Sequence, residues 1–152
     1  MQVFPQYEGP MRQWPEIALM PGAAAVVERL SPTWRLALAT NAADSCEVDI
    51  RAALQRAGIV QWMDAVFCFE NLGARKPSIS FFHGAAAALG VPFERVVMVG
   101  DHLDHDVLGA KKAGLHAVWY RRGYKGRFPA GIPAVASLEE LPAVVELLVP
   151  LE

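Results

Sequence analysis

Short apolar runs of strand type alternate along the chain with stretches whose apolar residues repeat at helical spacing. The four runs of strand type cover residues 36–39, 65–69, 96–99 and 117–120. None of them alternates apolar with polar residues, which is typical of parallel strands covered on both faces. The pattern therefore predicts an α/β protein with a parallel sheet.

Helical spacing is found between and after these strands, over residues 23–30, 46–57, 80–89, 106–113 and 138–148. Gly58, Gly90 and Gly114 follow three of these stretches, where the carboxyl end of a helix favours a left-handed residue. Ser137 precedes the last stretch as a predicted amino-terminal cap. Because the connections are short, we expect a three-layer, Rossmann-like, doubly wound parallel sheet without a full cap domain.

The length and the charge limit the function classes. A chain of 152 residues fits one globular core, so residues 1–152 are predicted to form a single domain. Fourteen Lys and Arg residues against sixteen Asp and Glu residues give a net charge of -2, which disfavours nucleic acid and an anionic membrane as partners. Two cysteines, the lack of a signal peptide and the lack of a membrane-spanning run lead us to expect a cytoplasmic protein with reduced thiols.

Ligands of such sheets bind beyond the carboxyl ends of the strands, so the residues that follow each strand are the candidates for chemistry. Thr40 and Asn41 follow the first strand and supply a hydroxyl and an amide that suit a phosphate. A helix cap is the alternative interpretation of this pair. Lys76 lies before Pro77, which restricts its backbone and can hold the ammonium in one direction to neutralise phosphoryl charge.

The third strand is followed by a sharp turn with carboxylates. Gly100 permits the turn, Asp101 lies at the strand end, and Asp106 is predicted to begin the next helix. We expect the two carboxylates to converge, and hard oxygen ligands completed by water and substrate phosphate describe a Mg2+ site. His102, Asp104 and His105 lie in the same segment and are interpreted as loop or helix-start residues rather than transition-metal ligands.

Three ordered motifs resemble a known family. The segment 38–41, the pair Lys76 and Pro77, and the segment 99–101 with Asp106 and residues 109–110 resemble motifs II, III and IV of the haloacid dehalogenase (HAD) superfamily. The resemblance covers about residues 21–120 and implies a HAD-like core with a Mg2+-assisted phosphoryl-transfer site. In the family, an aspartate attacks phosphorus and the aspartyl-phosphate is then hydrolysed by water.

The resemblance also implies a role for each matched residue. Thr40 and Asn41 would bind the phosphoryl oxygens, and Lys76 would neutralise charge and orient the nucleophile. Asp101 would ligate Mg2+, and Asp106 would support the metal's shell. The implied function is the hydrolysis of phosphate monoesters, with a small phosphorylated metabolite as the partner. Dehalogenase chemistry is a further alternative on the same core.

Motif I of the family, Asp-x-Asp after a strand, has no match, because the sequence has no Asp before Asp44. Turnover is therefore expected to be impaired. Two explanations stay open for residues 1–20. In the first, they form a degenerate first strand, with Pro5 to Gly9 in place of the motif. In the second, the chain is a shortened form of a longer protein, and residues 7–20 are the remnant of a helical cap that returns to the core over 21–152.

Two features lie outside the motifs. A strand swapped from a second copy, or a contact formed by Tyr7, Trp14 and Trp62, would make the protein a homodimer. A basic and aromatic cluster after the last strand is interpreted as a solvated loop or as a surface that recruits an anion: Arg121, Arg122, Tyr124, Lys125, Arg127 and Phe128. The alternative to a hydrolase is a non-catalytic phosphate-binding or protein-interaction module.

Overall fold

The structure, a computed structural model, describes residues 9–42 and 44–152. The chain divides between Arg75 and Lys76 into two compact units. Each unit contains parallel strands and helices, which confirms the predicted α/β class. The single-domain organisation over 1–152 stays a prediction, and residues 1–8, on which the motif I alternatives depend, lie outside the described residues.

The first unit pairs two short parallel strands and packs helices with them. Its elements are α1 (Ala23–Leu30), β1 (Ala37–Ala39), α2 (Glu47–Arg56), β2 (Ala65–Phe67) and α3 (Phe69–Leu72). The strands pair in the register Ala37 with Ala65 through Ala39 with Phe67. Its core is built from buried side chains of α2, β2 and the connection between them: Ile50, Leu54, Ile59, Val66 and Cys68.

The segment before α1 is tied to α2. A 3-10 turn spans Met11–Gln13, and the Met11 amide donates to Ser45 Oγ at 3.0 Å. The Arg56 guanidinium donates to three backbone carbonyl oxygens of this segment, those of Arg12, Trp14 and Pro15, at 3.3, 2.6 and 3.2 Å. One side chain therefore satisfies three carbonyl groups that no regular element would satisfy.

The amino end of α2 is capped by a carboxylate. Asp49 Oδ2 accepts from the Cys46 amide and from the Cys46 thiol, both at 3.1 Å, and Asp49 Oδ1 lies 3.0 Å from Arg12 Nε. The thiol hydrogen bond first, and then the amide hydrogen bond and the Arg12 charge, hold the pKa of Asp49 below its ordinary value, although burial opposes them. Cys46 and Cys68 are both free thiols, as predicted.

The second unit has a three-stranded parallel sheet in the order β3, β4, β5. Its elements are α4 (Ile79–Leu89), β3 (Val97–Gly100), a π-helical segment (Leu103–Leu108) that continues as α5 (Gly109–Lys112), β4 (His116–Tyr120), β5 (Ala134–Val135) and α6 (Leu141–Leu148). Phe81, Val107 and Val118 are fully buried and form part of its core. No helix in the described part of the chain is long and apolar enough to cross a membrane.

Most predicted elements are confirmed to within a few residues, and the differences have local causes. The second strand ends at Phe67 rather than at 69, because the Cys68 amide donates to Asn71 Oδ1 at 3.0 Å and starts α3. The helix expected to begin at Asp106 begins at Leu103 with a π-helical segment. Asp106 therefore lies inside a helix, and its carboxylate is buried rather than exposed at a helix end.

Candidate active site

A buried ion pair joins Lys76 to Asp106 in the second unit. Lys76 Nζ lies 2.6 Å from Asp106 Oδ1, and the two side chains are only 6% and 4% exposed. The second carboxylate oxygen, Oδ2, accepts from the His102 amide at 3.1 Å. Because both oxygens have protein donors, the carboxylate is held in one orientation, and it fixes the ammonium as well.

Gly100 makes room for this carboxylate at the end of β3. A Cβ atom at position 100 would collide with the Cβ, Cγ and Oδ2 atoms of Asp106. The backbone of the strand end and the Asp106 side chain therefore approach more closely than any other residue type would permit. The sequence predicts a sharp turn at Gly100, whereas the structure shows close packing there.

Gly109 has a comparable role at the start of α5. A Cβ atom there would lie 2.7 Å from Pro77 Cβ and 3.0 Å from Phe82 Cε2. The absence of a side chain lets α5 pack directly on Pro77, whose peptide bond to Lys76 is cis. The segment that carries Lys76 and the helix that follows Asp106 are thus packed against each other.

Asp101 differs from Asp106 in its surroundings. It follows β3 and is exposed, and its backbone carbonyl accepts from Trp119 Nε1 at 3.1 Å. Within residues 9–42 and 44–152, its carboxylate makes no hydrogen bond or ion pair. An exposed carboxylate without a protein partner at a strand end fits a Mg2+ ligand. The oxygens of Asp106, in contrast, already bind Lys76 and the His102 amide.

The described residues contain no group of three or more His, Cys, Asp or Glu side chains that could hold a metal ion. A cation at Asp101 would therefore take its other ligands from water and phosphate, an arrangement that Mg2+ accepts. The metal roles of Asp101 and Asp106 stay predictions.

Thr40 and Asn41 lie in the first unit, directly after β1. The Thr40 amide donates to the Phe67 carbonyl at 3.0 Å, and Thr40 Oγ1 accepts from the Ala42 amide at 3.1 Å. Helix α2 begins only at Glu47, and Cys46 caps it, so Thr40 is not its cap. Asn41 is half-buried. The phosphate-binding roles of both residues stay predictions.

His102 and His105 pair with each other at the start of the π-helical segment. Their rings stack with centroids 3.9 Å apart, and the His105 amide donates to His102 Nδ1 at 3.1 Å. Both residues are exposed. The His102 ring therefore caps the segment while its amide donates to Asp106, two roles that the sequence does not predict.

The comparisons with known proteins find relatives among hydrolases. The family model described as HAD-hydrolase-like matches residues 73–140. The chain is 30% identical over 126 residues to the pyrimidine 5'-nucleotidase YjjG of Escherichia coli strain K12, covering 80% of this chain and 54% of that protein. The chain thus spans about half the length of this curated relative.

Solved structures show the same fold. An uncharacterized protein from Listeria monocytogenes serotype 4b superposes with a TM-score of 0.81 at 25% identity, covering 93% of this chain and 86% of that one. A HAD phosphatase from Thermococcus onnurineus superposes with a TM-score of 0.71 at 29% identity, covering 84% and 58%. These matches support the HAD superfamily, and the HAD-like, Rossmann-like α/β fold is confirmed.

Proposed function

We propose that this chain carries a phosphate-monoester hydrolase site of the Mg2+-dependent type, with a small phosphorylated metabolite as its ligand. The observation that carries the proposal is the buried Lys76 and Asp106 pair beside the end of β3, where Asp101 follows. A buried, oriented ammonium beside the end of the strand that Asp101 follows suits a doubly charged phosphoryl group and its counter-ion.

The proposed roles follow from the chemistry of each side chain. The Lys76 ammonium neutralises phosphoryl charge, and the Asp106 carboxylate holds that ammonium in place. The Thr40 hydroxyl and the Asn41 amide bind phosphoryl oxygens. Asp101 holds the Mg2+, which when bound would offset the negative charge of the phosphoryl oxygens.

Turnover is proposed to be impaired in this chain as it stands, because the sequence has no Asp before Asp44 to serve as the nucleophile. Without a carboxylate that attacks phosphorus, the site can bind and polarise a phosphate monoester but cannot form an aspartyl-phosphate. The expected behaviour is binding with little hydrolysis.

A phosphatase assay tests the missing nucleophile. The chain is incubated with p-nitrophenyl phosphate and Mg2+, beside Asp101→Asn and the matched control Asp104→Asn, which neutralises an exposed carboxylate of the same segment. We expect negligible hydrolysis from all three proteins. Robust hydrolysis that Asp101→Asn abolishes and Asp104→Asn retains would show that another group replaces the nucleophile.

Calorimetric titration with inorganic phosphate in the presence of Mg2+ tests the site itself. Binding should weaken in Asp101→Asn and stay within about twofold in Asp104→Asn, since a metal ligand is lost only in the first. The alternative function, a non-catalytic protein-interaction module, is favoured by the absence of Asp before Asp44. A titration that shows no phosphate binding would leave only that alternative.

A further inference from the structure

The loop after β4 holds one arginine between aromatic rings. The guanidinium carbon of Arg121 lies 3.8 Å from the ring centroid of Tyr124 and 4.8 Å from that of Trp119. The Tyr124 ring in turn packs on Phe128, with centroids 5.1 Å apart. Two aromatic rings hold the cation, so a ligand that binds it would not need to order a flexible side chain.

Trp119 connects Arg121 and its aromatic neighbours to the candidate site. Trp119 is the register partner of Gly100 in the parallel pair of β3 and β4, and its indole donates to the backbone carbonyl of Asp101. The carboxyl ends of parallel neighbours meet at one edge of the sheet. Arg121 therefore leaves β4 at the edge where Asp101 leaves β3.

The hydrogen-bonding groups of this guanidinium are available. Throughout the described ranges, 9–42 and 44–152, the side chain of Arg121 makes ring contacts but no hydrogen bond or ion pair. The N–H groups of a guanidinium lie in its own plane and point outward from its edge, so a ring contact on its face leaves them able to donate to an oxyanion in a bidentate manner.

All Lys, Arg, Asp and Glu residues in the stretch of sequence that contains Arg121 are basic. Residues 107–138 contain six Lys and Arg residues and no Asp or Glu, whereas the rest of the sequence contains eight basic and sixteen acidic residues. A protein of net charge -2 thus has one strongly basic segment, and that segment includes the loop beside Asp101. Such a segment attracts anionic ligands.

We propose that Arg121 is a specificity-determining residue that binds a second oxyanion, a carboxylate or a phosphate, on the phosphate monoester bound at the proposed site. The inference rests on the proposed function and narrows the ligand to metabolites with two anionic groups. A ligand whose remainder is neutral would leave the half-buried guanidinium without a charged partner, which is the physical basis of the discrimination.

Two probes with the same carbon skeleton test this role. 3-Phosphoglycerate carries a phosphate and a carboxylate, whereas glycerol 3-phosphate carries the phosphate alone. In calorimetric titrations with Mg2+ we expect 3-phosphoglycerate to bind about tenfold more tightly, as a charge-assisted hydrogen bond predicts. Inorganic phosphate is also titrated into the complex of the chain with glycerol 3-phosphate. Binding of this second ligand would show that the Arg121 position accepts a phosphate as well as a carboxylate.

Variants assign the preference to Arg121. Arg121→Met should lower the affinity for 3-phosphoglycerate to that for glycerol 3-phosphate, and Arg121→Lys should retain part of the difference, because the charge stays while the fork is lost. Lys125→Met removes one exposed charge from the same loop and should retain the full difference. The Arg121→Lys result also decides the matter if Arg121→Met does not fold.

Equal affinities of the wild-type chain for the two probes would overturn the role of Arg121 and leave the proposed function standing. A preference that survives in Arg121→Met, or that Lys125→Met abolishes equally, would also overturn it. If neither probe binds, the phosphate site itself is wrong, and the proposed function and this inference fail together.

Discussion

At the scale of single residues, the Lys76 and Asp106 pair couples stability to the candidate chemistry. Asp106→Leu removes the carboxylate that lies 2.6 Å from the buried Lys76 ammonium. We expect it to lower the free energy of unfolding by about 3–5 kcal/mol, because losing one partner of a buried ion pair is costly. Urea denaturation monitored by circular dichroism measures the loss.

The matched control is an exposed ion pair. Arg51 Nη2 lies 3.8 Å from Glu47 Oε1, and both side chains are more than a third exposed. Arg51→Met should cost no more than about 0.5 kcal/mol. A loss for Asp106→Leu as small as that of the control would show that Lys76 reaches solvent when its partner is removed.

The ionisation of Asp49 makes the stability of the folded protein depend on pH in the acid range. Its pKa in the folded protein lies below the ordinary value of 3.8, with the Cys46 thiol hydrogen bond as the first cause. The folded state therefore favours the ionised form of Asp49. The stabilisation by this carboxylate is present above about pH 4 and is lost as the pH falls through the pKa that Asp49 has in the folded protein.

The corresponding variant is Asp49→Asn, which cannot ionise. We expect thermal unfolding midpoints of the wild-type chain to fall more steeply than those of Asp49→Asn between about pH 4 and pH 2. Asp44→Asn, which changes an exposed carboxylate of the same unit, should follow the wild-type slope. Parallel slopes for the wild type and Asp49→Asn would contradict the role of the Cys46 hydrogen bonds.

At the scale of elements, Arg56 holds the segment before α1 against α2 through three carbonyl oxygens. Arg56→Ala removes all three hydrogen bonds. We expect trypsin to cleave after Arg12 several times faster in this variant, because the backbone near Arg12 opens more often. Arg51→Ala removes a tryptic site from the same helix and serves as the control, with an unchanged rate after Arg12.

The elements themselves were largely predictable because their signals are local. Apolar spacing located α1 over exactly the residues that the structure gives it, and Gly58, Gly90 and Gly114 have the positive φ angles expected after helices. The strand β5 was missed, since two residues carry no periodicity and its pairing with β4 arises from contacts across the sheet.

The candidate site was predictable in composition but not in its contacts. The sequence order identified Lys76, Asp101 and Asp106, yet nothing local indicates that Asp106 binds Lys76 thirty positions away or that a π-helical segment buries it. The stacking of Arg121 between two rings depends in the same way on how the loop folds. Spacing predicts which side chains share an edge, whereas tertiary packing decides which atoms meet.

At the scale of the whole molecule, the charge distribution predicts a response to anions. Basic residues are concentrated in 107–138 while the rest of the sequence is acidic. At constant ionic strength, inorganic phosphate should raise the thermal unfolding midpoint until the proposed site saturates, because a ligand of the folded state stabilises it by mass action.

The Lys76→Met variant separates site binding from the general effect of phosphate on water. It should retain only the small, non-saturating increase that excluded salts produce. A saturating increase of the same size in Lys76→Met would place the phosphate elsewhere on the protein. Differential scanning fluorimetry with an external dye gives both curves.

The indole of Trp119 touches the two residues on which the proposals depend, since it donates to the Asp101 carbonyl and stacks on Arg121. The other three tryptophans, at positions 14, 34 and 62, belong to the first unit. Replacing those three by phenylalanine would leave Trp119 as the single tryptophan, at the edge of the sheet where the ligand is expected. The protein thus contains its own optical reporter, whose emission would register Mg2+ at Asp101 and an oxyanion at Arg121 without any attached label.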